Sequence, residues 1–173
     1  MESIKDRVAI VGMGISKFGE NWNKGPSDMV VEAFQEAIGD AGLEPKDIQA
    51  AWQATLFTGE TGSYVARWLK LEYVPVTRVE NYCSGGLDCF RNACYGVASG
   101  QYDIVLACGV EKLMDHHGGG FGKVVPTAFD LPGVDFDLPP VNQFGHFATA
   151  YMSRYNIPYE RFKRILAKIV VRN

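Results

Sequence analysis

The chain has 173 residues, 47% of them hydrophobic and 21% charged, and its 17 basic and 20 acidic side chains give a formal net charge of −3. That balance describes an ordinary globular chain without the basic footprint that a phosphate backbone requires, so nucleic acid is not an expected partner. Apolar runs such as Ile104 to Cys108 are far too short to cross a bilayer, and Glu2 and Asp6 interrupt the start, so neither a membrane span nor a signal peptide is expected.

Val8 to Gly14 is a continuous apolar run ending in glycine, the pattern of a strand buried on both faces. Ser27 is placed to cap a helix whose Met29, Val30, Ala33, Phe34, Ala37, Ile38 and Ala41 form one apolar stripe, closed by Gly42 and Pro45. A second strand is expected at Ala50 to Leu56 and a short helix over Gly59 to Leu71, with Tyr64, Ala66, Trp68 and Leu69 turned inward. Val76 to Glu80 reads as a third strand and Asp103 to Gly109 as a fourth. Between them Leu87, Phe90, Cys94 and Val97 repeat at helical spacing up to Gly100. Strands alternating with helices imply an α/β fold, a mostly parallel sheet with helices on both faces.

After Glu111 the pattern breaks. Residues 115 to 141 are rich in glycine and proline without a period, and two helices then follow, roughly Asn142 to Tyr155 and Pro158 to Val171. The organisation expected is an α/β core over residues 1–114 and a loop-rich segment with two helices over 115–173. Arg161, Lys163, Arg164, Lys168 and Arg172 alternate with apolar residues as a solvated helix face does, and such a face can also meet an anionic cofactor.

Chemistry is concentrated in Glu80-Asn81-Tyr82-Cys83-Ser84-Gly85-Gly86, which sets a cysteine between the end of a strand and the start of a helix. Unpaired N–H groups and the positive end of a helix dipole favour an anion there, so Cys83 is the candidate nucleophile. A core thiol is the alternative, because free cysteine is among the most buried residue types. Gly85 and Gly86 are costly in a first helical turn and point to something that approaches the backbone closely. Cys89, Cys94 and Cys108 are read as core thiols. No pair has CxxC spacing, so no metal site is expected, and four irregularly placed cysteines suit reduced thiols in a cytoplasmic protein. Gly12, Gly14 and Gly19 miss the dinucleotide fingerprint, since Lys17 stands where it needs a glycine. His116 and His117 are adjacent and badly placed to share a metal. His146, near a helix start, is a general base, a substrate contact or a cap.

Taken in order, several segments resemble the N-terminal half of the thiolase family. They are Val8 to Gly12 with Lys17-Phe18-Gly19, Asp40-Ala41-Gly42-Leu43, Asn81 to Gly86, Ala98 to Asp103, and Ala107 to Lys112. The sterol-carrier-protein-x type and the bacterial and archaeal acetyl-CoA acetyltransferase-like proteins are the most similar branches. The resemblance implies acyl transfer between coenzyme A thioesters, forming or cleaving a 3-oxoacyl-CoA, with Cys83 acylated and coenzyme A as substrate rather than resident cofactor. It also implies a homodimer through Val76 to Glu80 and, in many relatives, a small zinc-ribbon and OB-fold partner. The loop of residues 115 to 141 would shape the acyl pocket, with Phe121, Phe129, Phe136 and Phe144 suited to a bulky group. Two other readings stay open: a thiolase-fold retro-aldolase, and an inactive scaffold or partial subunit. The base, oxyanion partner and second cysteine of such enzymes belong to a C-terminal half, which is expected to lie beyond Asn173.

Overall fold

The computed structural model describes residues 3–56, 58, 61–113 and 140–172, with side chains described from 144 onward in the last stretch. Of the expected loop of residues 115 to 141, residues 115 to 139, with His116, His117, Phe121, Phe129 and Phe136, lie outside them, and residues 140 and 141 begin a helix. The chain divides into two units, Met1–Gly120 and Phe121–Asn173.

In the first unit β1 (Ala50–Ala54), β2 (Val76–Val79) and β3 (Val105–Gly109) form a parallel sheet in the order β2-β1-β3. Trp52 of β1 lies opposite Thr77 on one side and Ala107 on the other. Helices α1 (Pro26–Ala41), α2 (Gly62–Leu69) and α3 (Gly85–Ala98) cover the sheet, and the architecture is α/β. The path from β1 to β2 through α2 runs one way across the sheet, and the path from β2 to β3 through α3 runs back. With right-handed crossovers the two helices fall on opposite faces.

Side chains on β1 alternate between those faces. Ala51 joins Val30 and Phe34 of α1, Val65 and Leu69 of α2, and Ile48, Leu71 and Val110 in one core cluster. Trp52 and Ala54 meet α3 instead, near Gly96 and Gly85. The buried residues of α3 are small ones, Gly85, Cys89, Ala93 and Ala98, whereas Leu87 is 72% exposed. The large apolar repeat therefore marks the helix but not its sheet-facing side. At Gly96 the Trp52 ring leaves no room for a side chain, because a Cβ there would lie 2.7 Å from its Cη2.

The expected first strand is not one. Residues 8 to 14 lie against α1 and pair with no strand among the described residues, while Ile10, Val11, Met13 and Ile15 are exposed. Met13 N–H donates to Asp40 Oδ2 at 3.0 Å and Ile15 N–H to Glu36 Oε2 at 2.8 Å, so α1 carboxylates take bonds a neighbouring strand would otherwise accept. A Cβ on Gly12 would sit 2.2 Å from the Ala37 carbonyl oxygen and one on Gly14 2.0 Å from that of Ala33. The glycines thus serve contact with the helix, a partner that an apolar run does not specify.

Smaller differences have local causes. Gly25 caps α1 rather than Ser27, with its N–H donating to Asp28 Oδ2 at 2.8 Å and Pro26 in the first turn. Helix α2 begins at Gly62, and Val65 enters the core in place of the exposed Tyr64. Helix α1 ends at Gly42, whose φ of 66° suits a residue without a Cβ.

The second unit holds α4 (Pro140–Arg154) and α5 (Tyr159–Arg172), within two residues of their expected bounds. The turn between them places Asn156 at φ 50°, and Ile157 N–H donates to the Met152 carbonyl at 2.9 Å. The buried Phe162 meets Tyr151 with ring centroids 6.0 Å apart. Among the described residues no helix is long and apolar enough to cross a membrane.

Candidate active site

The carboxyl ends of parallel strands are where α/β sheets present ligands. Here β2 ends at Val79, α3 begins at Gly85, and the chain reverses between them through a single 3-10 turn, Tyr82–Ser84. Tyr82 sits at φ 46°, a left-handed conformation that costs a residue with a Cβ about 1–2 kcal/mol. Four sets of hydrogen bonds hold the turn, the first from the Gly85 N–H to the Tyr82 carbonyl. Tyr82 N–H donates to Glu80 Oε1 at 2.7 Å. The Asn81 carbonyl accepts the Ser84 N–H at 3.1 Å and the Ser84 hydroxyl at 2.8 Å. Asn81 Nδ2 donates to Asp88 Oδ2 at 3.4 Å, and Asp88 also pairs with Arg91.

Cys83 rides on this turn, exposed, two residues before α3. It was expected at the helix mouth, and it lies in the 3-10 turn that leads into α3, where the Gly85 N–H is already taken by the Tyr82 carbonyl. Gly85 and Gly86 form that first turn. A Cβ on Gly85 would meet only Ala54 Cβ, at 3.9 Å, and one on Gly86 would meet nothing within 4 Å. Packing inside this unit does not demand either glycine, although Gly85 is buried against Ala54 and only Gly86 faces open space.

Behind the turn, the ends of β1 and β3 are tied together. Glu111 accepts the N–H groups of Leu56 and Thr58 and the Thr58 hydroxyl, while Lys112 N–H donates to Thr58 Oγ1 at 2.9 Å. From β2 the Arg78 guanidinium reaches the Thr55 carbonyl at 3.3 Å and that of Leu56 at 3.4 Å. The segment after β1 is thereby held from both neighbouring strands.

The other thiols differ from Cys83. Cys89 is buried against the sheet, its sulfur 3.5 Å from the Cys108 carbonyl oxygen, and burial pushes its pKa up to about 11. Burial likewise raises Cys108 to about 12, with Cys89 adding to the effect. Both are protonated, poorly nucleophilic core groups near neutral pH. Cys94 is half-buried on α3.

The structure brings Cys83, Gly85 and Gly86 together on one turn. His146 is exposed on α4 in the second unit, as is Phe144. Sequence reasoning quoted Glu80, Asn81 and Tyr82 without giving them roles and did not single out Asp88. Their work depends on a left-handed tyrosine, and nothing about a tyrosine in sequence announces that conformation.

Residues 8–120 match the family described as Thiolase, N-terminal domain. The chain is 41% identical over 114 residues to an acetyl-CoA acetyltransferase of Methanocaldococcus jannaschii, covering 62% of this chain and 29% of the relative. It is 25% identical over 174 residues to sterol carrier protein 2 of Bos taurus, covering 94% of this chain and 32% of that protein. Among solved structures it is similar to a chain of the Ltp2-ChsH2(DUF35) aldolase, with a TM-score of 0.64, 26% identity, and coverage of 86% of this chain and 38% of the other. The chain spans less than half the length of each of these relatives.

Proposed function

Because this chain belongs to the thiolase family, we propose that it supplies the nucleophile half of an acyl-transfer enzyme acting on coenzyme A thioesters. The observation that carries this reading is Cys83, an exposed cysteine on a strained strand-to-helix turn close to Gly86, which has open space around it. A thiolate there attacks the thioester carbonyl, the carbon–sulfur bond to coenzyme A breaks, and the acyl group stays on Cys83 as a new thioester. One thioester replaces another, so the step is close to balanced and reversible. The N–H groups of the first turn of α3 after Gly85, whose own N–H is held by the Tyr82 carbonyl, are the proposed donors for the oxyanion formed on the way. The acyl-cysteine is then discharged by coenzyme A or by a carbanion, which sets whether a 3-oxoacyl-CoA is cleaved or formed. The chain's similarity to an acetyl-CoA acetyltransferase supports this class of reaction.

Val76 to Glu80 is the proposed homodimer contact, supported by the place of β2 at one end of the sheet with β1 as its neighbour. A small zinc-ribbon and OB-fold partner is proposed on the strength of the DUF35 component named with the similar aldolase.

That aldolase also supports a second reading, carbon–carbon cleavage without acylation of the cysteine. Incubation with acetyl-CoA followed by intact-mass measurement separates the two. Acyl transfer predicts one added acetyl group that maps to Cys83 and disappears in Cys83→Ala. An unmodified Cys83 alongside cleavage of a β-hydroxy thioester would favour the aldolase. An unmodified Cys83 with no turnover would favour a scaffold or partial subunit.

A further inference from the structure

We propose that Glu80 is the positioning residue of the Cys83 turn: its carboxylate holds Tyr82 in the left-handed conformation that presents the sulfur. The proposal rests on the reading of Cys83 as the acylated group and adds a residue to it. Tyr82 is the one position between β2 and α3 with a positive φ, and its N–H reaches Glu80 Oε1 at 2.7 Å. A left-handed tyrosine is unfavourable by itself, so the conformation persists only where surrounding groups over-determine it. On the far side the Asn81 carbonyl is fixed by the N–H and hydroxyl of Ser84. Asn81 and Ser84 bracket Tyr82 and Cys83, and the remaining donor inside the bracket that a side chain is seen to hold is the Tyr82 N–H. Release it, and Tyr82 can return to an ordinary negative φ, rotating the following peptide and carrying Cys83 away from the start of α3.

Glu80 also brings a negative charge close to a sulfur that reacts as an anion. Holding the turn and repelling the thiolate act in opposite directions, so two substitutions distinguish them. Glu80→Gln keeps an acceptor oxygen and removes the charge, whereas Glu80→Ala removes both.

The experiment is iodoacetamide alkylation of the full chain at neutral pH, with the second-order rate constant at Cys83 followed by peptide mapping. Positioning predicts that Glu80→Ala reacts roughly tenfold more slowly at Cys83 than Glu80→Gln, the loss of one hydrogen bond to a fixed turn. It further predicts that this gap closes to less than about twofold in a Tyr82→Gly background, where no left-handed penalty remains. Equal rates for Glu80→Ala and Glu80→Gln would overturn the proposal, and so would a gap that survives Tyr82→Gly. Continued protection of Cys89 and Cys108 shows that each variant is folded. If Glu80→Ala exposes them, Glu80→Met keeps the side-chain bulk and carries the same comparison. A parent Cys83 no faster than Cys94 would count against acyl transfer, yet the ratio between variants would still decide the role of Glu80.

Discussion

Cys83 and Cys89 lie six residues apart in sequence, on one turn and the helix it leads into, yet they occupy opposite environments. Cys83 is exposed on a turn held by hydrogen bonds, close to Gly86 with room around it. Cys89 is 1% exposed and pressed to the sheet among small residues. The chemistry of a thiol here is set by which side of the helix start it falls on, not by the local sequence around it. One end of α3 is built for access and the rest for close packing.

The sharpest way to break that contrast is alkylation of the native protein near neutral pH. A thiol with a pKa of about 11 is ionised in only about one molecule in ten thousand at pH 7, and burial adds a steric barrier. Peptide mapping is expected to find Cys83 labelled while Cys89 and Cys108 stay orders of magnitude slower. Comparable labelling of all four thiols would erase the distinction.

The next largest effect follows from pH. In the unfolded chain these two thiols ionise near 9.0, whereas in the fold they keep their protons to about 11 and about 12. Between those values the unfolded state binds fewer protons, so folding stability is intact below pH 9 and falls as pH rises through 11 and 12. Thermal melts across this window are expected to show the fall, and Cys89→Ala should flatten it.

Two glycines on α3 sharpen the picture further. Gly96→Ala puts a methyl group against the Trp52 ring and should cost about 1–3 kcal/mol. Gly86→Ala enters open space and should gain up to ~1 kcal/mol from helix propensity, while slowing acylation at Cys83 by crowding the approach. Denaturant titration reads both signs. The smallest expected difference is between Cys89→Ala, costing about 1 kcal/mol through lost core contacts, and Cys83→Ala, within about 0.5 kcal/mol of the parent.

The alternation of strands and helices was legible because hydrophobic period is a local property, and the bounds of β2, α4 and α5 follow it to within two residues. The family placement was legible too, because motifs such as Asn81 to Gly86 and Ala107 to Lys112 keep their order and spacing. Partner choice was not. Val8 to Gly14 reads as a buried strand, but its glycines fit the backbone of α1 and its amides find carboxylates, a match that involves residues distant in the sequence. The sheet-facing side of α3 was hidden for a similar reason, since it is made of small residues that a hydrophobicity pattern undervalues, and at Gly96 the distant Trp52 leaves room for nothing larger. At the candidate site the cysteine was visible as a residue type in a setting, while Glu80 and Tyr82 act through backbone geometry that composition does not encode.

The segment laid along α1 has a consequence for solvent isotope exchange. Because the amides of Met13 and Ile15 are held by acidic side chains rather than by a strand ladder, their protection depends on rotamers of Asp40 and Glu36. Deuterium should therefore enter this stretch sooner than it enters β1, whose amides are shielded from both sides. Replacing Asp40 with leucine should unlock the Met13 amide first, a tear that starts at one stitch while the sheet stays closed.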